Sequence, residues 1–286
     1  MTMALILPAY AKLNLTLDVT GRRPNGYHDI DSVMQTISLH DLLWIERTDC
    51  RVFDVIGPAI AGENLVLKAA RELEGHVGRQ LPFTIRLFKR VPMGAGLAGG
   101  SSDAAVFLRA ANLLYDLKLK HAELIEIATA VGQDVPFLLS GGTARATGLG
   151  STLSPLPPVP PSWRFLVIWP AIEVSTRAVY EAVDGSEPSK HRTPELVEAL
   201  EKLADPPWRI ECEFGNDLEP VSRKLYPNLD AVIGSWRTAV PSLAMSGTGA
   251  ALFALFEGRR EAANALAAAR KIGYPAWLCR PVSAVA

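Results

Sequence analysis

A glycine-rich segment at residues 92–105, Pro-Met-Gly-Ala-Gly-Leu-Ala-Gly-Gly-Ser-Ser-Asp-Ala-Ala, constrains the fold of this chain more than any other stretch. A strand-like run at 83–88 precedes it, and a helical pattern follows with an apolar face from Ala104 to Leu114. The glycines therefore mark a strand-to-helix junction, where the backbone can turn tightly and approach a ligand closely. Because the first N–H groups of a helix are unpaired and lie at the positive end of its dipole, the junction predicts an anion site, usually for phosphate.

The segment departs from the commoner phosphate-binding motifs. Gly94, Gly96 and Gly99 fit the dinucleotide fingerprint G-x-G-x-x-G, but residues 113–130, where a second strand with a terminal acid should follow, are themselves predicted to be helical. A Walker loop would need a lysine at Gly100. The H-R-D and D-F-G signatures of protein kinases do not occur in the sequence. A purely structural turn, capped by a serine, is the simplest alternative.

The loop resembles the phosphate loop of the GHMP kinases, a superfamily of small-molecule kinases whose second motif reads roughly P-x-G-x-G-L-G-S/G-S-[SA]-A. Ala98 departs from the glycine that this pattern often has. The resemblance implies an α+β fold with two lobes and an active site in the cleft between them. It also implies ATP as cosubstrate, with Mg²⁺ arriving on the ATP phosphates, because no cluster in the sequence indicates a metal held by protein alone.

The resemblance also assigns the residues that bind ATP. Glu63-Asn64-Leu65 is similar to the element near the adenine, although Asn64 could equally cap a helix that starts at residue 65. The backbone of residues 94–102 is expected to surround the phosphates, and Ser101 or Ser102 to touch a phosphate or magnesium. The full set is Asn64, Pro92, Met93, Gly94, Ala95, Gly96, Leu97, Ala98, Gly99, Gly100, Ser101 and Ser102.

Residues 11–19 alternate strictly between apolar and polar side chains, which predicts a half-buried strand. Lys12 and Asn14 then lie side by side on its polar face. A turn-rich segment follows and ends in Tyr27 and His28, an aromatic ring and an imidazole that could stack on a base and hydrogen-bond to its edge. Taken alone, such a pair is more often packing than recognition.

Segment 9–41 resembles one branch of the superfamily, whose acceptor is a cytidylyl derivative of methylerythritol in the non-mevalonate isoprenoid route. The branch transfers the ATP γ-phosphoryl group to the 2-hydroxyl of that acceptor. The resemblance implies that Tyr27 stacks on the cytosine, that His28 binds the base edge, and that Tyr180, often phenylalanine in this branch, covers the other face. It also implies that Asn14 and Thr176 contact the erythritol part of the acceptor or its phosphates. Helix capping by Ser175 and core packing by Tyr180 are the alternatives.

Gln133-Asp134-Val135-Pro136-Phe137 follows a predicted helix at 121–131. Pro136 disfavours helix at the residue before it, so we expect an extended segment that holds Asp134 rigidly. The resemblance makes Asp134 the base, or the orienting group, for the acceptor hydroxyl and makes Lys12 its electrostatic partner. A structural turn aspartate is the alternative. Farther along, Met245-Ser-Gly-Thr-Gly-Ala250 resembles the third motif of the superfamily and predicts a second backbone loop near the site, or a tight turn before a strand at 250–256.

The chain has 286 residues, of which 49% are hydrophobic, enough for two subdomains. We place an ATP-binding lobe at 1–150 and a second lobe at 151–286, because five prolines at 151–162 predict a linker or surface connection. A polar stretch at 184–194 predicts an exposed loop. Net charge is −1, which gives no basic field for nucleic acid, and no apolar run reaches the length of a membrane span.

The start of the chain has no signal-peptide pattern. Its three cysteines are odd in number and far apart, and indicate neither a disulfide framework nor a zinc site. A cytoplasmic enzyme is expected, and its oligomeric state stays open. Three alternatives remain. A homoserine, mevalonate or sugar kinase is disfavoured by the aromatic pair, since those acceptors have no base, and a nucleotide-binding protein without turnover is disfavoured by Lys12 and Asp134. A dinucleotide oxidoreductase is a distant third.

Overall fold

The computed structural model describes residues 4–59, 62–183, 191–202, 214–240 and 242–284. In this part of the chain seven strands form one sheet: β1 (Ala4–Arg22), β2 (His28–Arg47), β3 (Val52–Ile56), β4 (Phe83–Phe88), β5 (Thr143–Gly148), β6 (Thr152–Pro155) and β8 (Gly215–Asn216). Their order is β3-β4-β2-β1-β8, and β5 pairs with β2 and with β6. The long antiparallel hairpin of β1 and β2 is its centre.

Four helices pack on this sheet: α1 (Leu65–Val77), α2 (Gly99–Leu114), α3 (His121–Val131) and α4 (Val135–Ser140). Helix α2 buries the apolar stripe that its sequence predicts, and the Phe107 ring meets Phe83 of β4 edge to face at 5.0 Å. The predicted strand at 83–88, the helix after the glycines and the helix at 121–131 are therefore confirmed. The phosphate loop joins β4 to α2.

The second sheet has the order β11-β7-β10-β9 among the described residues, with all neighbours antiparallel. Its strands are β7 (Arg164–Ile168), β9 (Ala244–Met245), β10 (Leu252–Phe256) and β11 (Ala276–Cys279). The helices of this half are α5 (Thr176–Ala182), α6 (Arg192–Glu201), α7 (Leu218–Leu225), α8 (Pro227–Ala239) and α9 (Arg259–Ile272). Every residue of β7 is buried, which makes it the central strand of this half.

The two halves share a core. Leu13 and Leu15 of β1 pack in one hydrophobic cluster with Phe165 of β7 and Phe253 of β10. The strand that carries the first motif is thus fixed by apolar contacts from the second sheet. The two-lobed α+β fold is confirmed, whereas the division at residue 150 stays a prediction: the first sheet continues through β6 and gains β8 from the second half.

Two local expectations were wrong. The proline-rich stretch at 151–162 is not entirely linker, because Thr152–Pro155 forms a short strand on β5. The polar stretch at 184–194 is not entirely loop either: residues 184–190 lie outside the described part of the chain, but helix α6 starts at Arg192. Main-chain N–H groups of Arg192 and Thr193 donate to the buried carboxylate of Asp18, which anchors this helix start on β1. Among the described helices, none is both long and apolar enough to cross a membrane.

Candidate active site

The polar face of β1 is buried, whereas its alternation predicted a half-buried strand. Lys12 and Asn14 are only 4% and 2% exposed, because the C-terminal half covers this face. The Lys12 ammonium donates to Asn14 Oδ1 at 2.5 Å, and Asn14 Nδ2 donates to Ser32 Oγ of β2 at 2.8 Å. These bonds hold the amide and the ammonium in one orientation, so the two side chains form a prearranged polar pair.

The phosphate loop has the left-handed turns that its glycines allow. Gly94 has φ 60° and Gly96 has φ 76°. Ala98 adopts φ 54° immediately before α2, which is an uncommon conformation for a residue with a Cβ. The Lys12 main-chain N–H donates to Leu97 O at 3.1 Å and so joins the loop to the strand of the first motif.

The loop residues differ in access to solvent. Met93, Gly94 and Gly100 are exposed, Gly96, Ala98 and Ser101 are half-buried, and the buried members are Pro92, Ala95, Leu97, Gly99 and Ser102. The first turn of α2 begins at Gly99, so its unpaired N–H groups lie at the end of this loop. The arrangement is that of an anion site at a helix start.

A second glycine loop, residues 246–249, packs directly on the phosphate loop. Ser246 Oγ accepts the Asn14 N–H at 3.1 Å and donates to Gly96 O at 3.0 Å. The Ala251 N–H donates to Ala95 O at 3.0 Å. A Cβ on Gly96 would lie 2.1 Å from Ser246 O, so only glycine fits at this crossing. The third motif therefore lies directly beside the phosphate loop.

Asp134 does not lie in an extended segment. It has helical backbone angles and directly precedes α4, with Pro136 in the first helical turn. The expectation was wrong because proline is tolerated in a first turn, where its missing N–H has no partner to lose. Asp134 Oδ1 lies 4.0 Å from Lys12 Nζ, and the two side chains are 33% and 5% exposed. An accessible carboxylate thus stands beside a buried ammonium.

The three candidate residues for base binding, Tyr27, His28 and Tyr180, differ in their contacts and in their exposure to solvent. The rings of His28 and Tyr180 stack, with centroids 5.7 Å apart and an interplanar angle of 26°. Burial, and secondarily the negative charge of Asp134, raises the pKa of the Tyr180 phenol. Tyr180 therefore lies on the Asp134 side of the site. Tyr27 is 63% exposed, next to this stack along the chain but open to solvent.

The remaining candidates have structural partners. Thr176 Oγ1 and Thr248 Oγ1 are 3.1 Å apart, which joins α5 to the second glycine loop. Ser175 caps α5, since its Oγ accepts the Ala178 N–H at 3.3 Å. Asn64 caps α1, since its Oδ1 accepts the Val66 N–H at 2.8 Å. The cap is thus one role of Asn64, and its contact with adenine stays a prediction.

Sequence reasoning missed a buried charged cluster beneath the phosphate loop. Lys89 Nζ pairs with Asp103 Oδ2 at 2.8 Å and also with Asp41. Burial raises the pKa of the Asp103 carboxyl to about 7, against the opposing effect of the Lys89 charge. Asp41 directly precedes the apolar run Leu42–Ile45 in a strand, and a buried charge there requires a partner. The position of Asp41 was therefore the feature of the sequence that could have indicated this cluster.

Comparison with known proteins identifies the family. The model of the GHMP kinases N terminal domain matches residues 64–142, and that of the GHMP kinases C terminal domain matches 190–275. A 4-diphosphocytidyl-2-C-methyl-D-erythritol kinase from Lachnoclostridium phytofermentans is 37% identical over 265 residues, which are 91% of this chain and 90% of that protein. The chain belongs to the 4-diphosphocytidyl-2-C-methyl-D-erythritol kinase family. It is an ATP-dependent small-molecule kinase, as the sequence resemblance predicted.

A crystal structure of a 4-(cytidine 5'-diphospho)-2C-methyl-D-erythritol kinase is 36% identical and superposes with a TM-score of 0.79, covering 97% of this chain and 99% of that one. The homoserine kinase from Cytophaga hutchinsonii superposes with a TM-score of 0.68 at 17% identity, over 98% of this chain and 95% of that one. The second likeness shows that the fold is shared.

Proposed function

We propose that this kinase transfers the γ-phosphoryl group of ATP to the 2-hydroxyl of 4-diphosphocytidyl-2-C-methyl-D-erythritol, a step in the non-mevalonate synthesis of isoprenoid precursors. The observation that carries the proposal is the Lys12–Asp134 pair, 4.0 Å apart and joined to the phosphate loop through the Lys12 N–H. Membership of the 4-diphosphocytidyl-2-C-methyl-D-erythritol kinase family supports the identity of the acceptor.

Asp134 and Lys12 have different roles in the reaction: Asp134 accepts a proton, and Lys12 stabilises negative charge. The acceptor hydroxyl loses its proton to the Asp134 carboxylate, its oxygen bonds to the γ-phosphorus, and the bond from that phosphorus to the β-phosphate oxygen breaks to release ADP. Phosphoryl transfer depends mostly on positioning and charge neutralisation, so the carboxylate need not be a strong base. The buried Lys12 ammonium stabilises charge that develops on the phosphoryl oxygens.

The phosphates of ATP are expected to lie over Gly94–Ser102, where main-chain N–H groups at the start of α2 are unpaired. Ser101 is half-buried and Ser102 is buried, so Ser101 is the better placed hydroxyl for a phosphate or its metal. Mg²⁺ would arrive with ATP, because the described residues contain no group of three or more His, Cys, Asp or Glu side chains that could hold an ion. Asn64 is proposed to contact the adenine edge.

The acceptor is expected to bind on the other side of Lys12. Tyr27 is exposed and can cover the cytosine, whereas the stacked His28 and Tyr180 rings offer a base edge contact and a flat surface. Asn14 and Thr176 each hydrogen-bond to the second glycine loop, and we expect them to contact the erythritol part or its phosphates. We also propose a cytoplasmic setting without a nucleic-acid partner, on cysteine use and net charge alone.

Asp134→Asn tests the assignment, because it keeps the shape of the side chain and removes its charge. The side chain makes no capping hydrogen bond to α4, so we expect an unchanged melting temperature. Turnover should fall by about 10²-fold or more, the usual contribution of a positioned acid or base. Lys12→Met should lower turnover in the same way.

Asp116→Asn is the matched control, since Asp116 carries a carboxylate whose side chain is 80% exposed, in the connection between α2 and α3. It should leave the turnover number and the KM for ATP unchanged. Wild-type turnover in a folded Asp134→Asn variant would remove Asp134 from the mechanism.

A further inference from the structure

Three charged side chains form a closed cluster under the phosphate loop, which we call the Lys89 cluster. Asp41 comes from β2, Lys89 from the end of β4, and Asp103 from α2. Their side chains are 0%, 3% and 2% exposed, so none of them can touch ATP or the acceptor. Any role in the reaction must therefore act through other residues.

The Lys89 cluster connects the two ends of the phosphate loop. Lys89 lies three residues before the loop, and its Nζ donates to Asp103 Oδ2, in the second turn of α2, at 2.8 Å. Asp41 pairs with the same ammonium, and its Oδ1 accepts the main-chain N–H groups of Arg90 and Val91, the latter at 2.8 Å. One ammonium thus links the strand before the loop to the helix after it, and one carboxylate fixes the turn between strand and loop.

The ammonium also packs beneath the first helical turn. A Cβ on Gly99 would lie 3.3 Å from Lys89 Nζ and 2.9 Å from Val91 Cγ1. Gly99 is the first residue of α2, so the start of this helix packs closely against Lys89 and its neighbour Val91. Any displacement of the ammonium would move the N–H groups that face the proposed phosphate site.

Stability alone does not account for these charges. One ammonium and two carboxyl groups are buried together, and Asp103 Oδ1 has no hydrogen-bond partner. Well-packed apolar residues in place of buried ion pairs are often equally stable or more so. What apolar residues could not supply is a directional link with fixed donor and acceptor atoms. The Lys89 cluster supplies such a link between the two ends of the phosphate loop.

We propose that Lys89, Asp41 and Asp103 are positioning residues that fix the phosphate loop and the start of α2 in the geometry that binds ATP. This inference rests on the proposed function in one respect, namely that the loop binds ATP. The Lys89–Asp103 link sets the affinity for the nucleotide and leaves the acceptor side unaffected.

Asp103→Leu tests the link, because it removes the bond to α2 and leaves Lys89 and Asp41 as a balanced pair. We expect the KM for ATP to rise about tenfold, because loss of the link to α2 displaces the N–H groups that bind the phosphates. The KM for the acceptor should stay within about twofold and the urea midpoint close to that of wild type. Asp103→Asn keeps an oxygen acceptor for Lys89 and should restore the KM for ATP to within about threefold of wild type.

The matched control is the double variant Arg51→Met and Glu74→Gln, which removes an ion pair at the opposite end of β4, where Arg51 lies over the Phe83 ring. It should leave both KM values unchanged. A folded Asp103→Leu variant with the KM for ATP of wild type would overturn the proposal, as would an equal rise in both KM values. Asp103→Ala takes its place if Asp103→Leu does not fold. Wild-type protein without kinase activity would instead contradict the proposed function.

Discussion

The contact between the two glycine loops can be tested by adding one carbon atom. A Cβ on Gly96 would lie 2.1 Å from Ser246 O, 3.0 Å from Ser246 C and 3.3 Å from Gly249 N. Carbon and oxygen atoms that do not bond need about 3.2 Å or more, so Gly96→Ala must push the two loops apart by about 1 Å. All three neighbours are main-chain atoms, and no side chain can rotate away to make room.

The cost can be estimated from the structure. Gly96 has φ 76°, and a left-handed conformation costs alanine about 1–2 kcal/mol. Separation of the loops also breaks the Ser246 Oγ bond to Gly96 O and the Ala251 N–H bond to Ala95 O, each 3.0 Å long. At about 1 kcal/mol for each bond, Gly96→Ala should lower the free energy of unfolding by about 3–4 kcal/mol.

Gly94→Ala is the matched control. Gly94 also has positive φ, 60°, but a Cβ there would meet no atom within 4 Å. Its cost should be the backbone strain alone, about 1–2 kcal/mol. The unfolding free energies of the two variants, measured in urea, should therefore differ by about 2 kcal/mol. Equal destabilisation by the two substitutions would refute the packing of the second glycine loop on the phosphate loop.

Three further predictions concern single side chains. Tyr27→Ala should raise the KM for the cytidylyl acceptor about tenfold, since stacking on a base contributes about 1–3 kcal/mol, and should leave the KM for ATP unchanged; a larger effect on ATP would place Tyr27 on the wrong side of the cleft. Because the folded-state pKa of Asp103 is raised to about 7 from 3.8, the native protein holds an extra proton between these values, and wild type should lose stability relative to Asp103→Asn as the pH rises through that window. Parallel pH profiles of unfolding free energy would contradict the burial of that charge. Burial raises the pKa of the Cys279 thiol to about 12, whereas Cys50 is exposed, so alkylation of the native enzyme at pH 8, mapped by mass spectrometry, should modify Cys50 and spare Cys279; equal labelling of both would show that Cys279 is accessible.

The parts of the site that sequence predicted are those with local signals. The strand before the glycines, the helix after them and the alternation around Lys12 each depend on neighbours within a few residues. The same local reasoning failed at Asp134, because proline two residues later suits the first turn of a helix as well as an extended segment.

Other features depend on partners far away in the chain. The Asn14 main-chain N–H on β1 donates to Ser246, which lies 232 positions later in the chain. Lys89 and Asp41 are 48 positions apart, and no spacing rule connects a lysine at a strand end with an acid in another strand. The position of Asp41 before an apolar run could have indicated a buried partner, but it would not have identified which one.

The most direct test of the central claim is the choice of acceptor. ADP release should be measured with ATP, Mg²⁺ and four acceptors in turn: 4-diphosphocytidyl-2-C-methyl-D-erythritol, homoserine, mevalonate and galactose. We predict turnover with the first alone, with the new phosphate on its 2-hydroxyl by phosphorus NMR. Turnover with any of the other three and none with the cytidylyl compound would contradict the assignment of Tyr27, His28 and Tyr180 to a cytosine site, although the phosphate loop would keep its role.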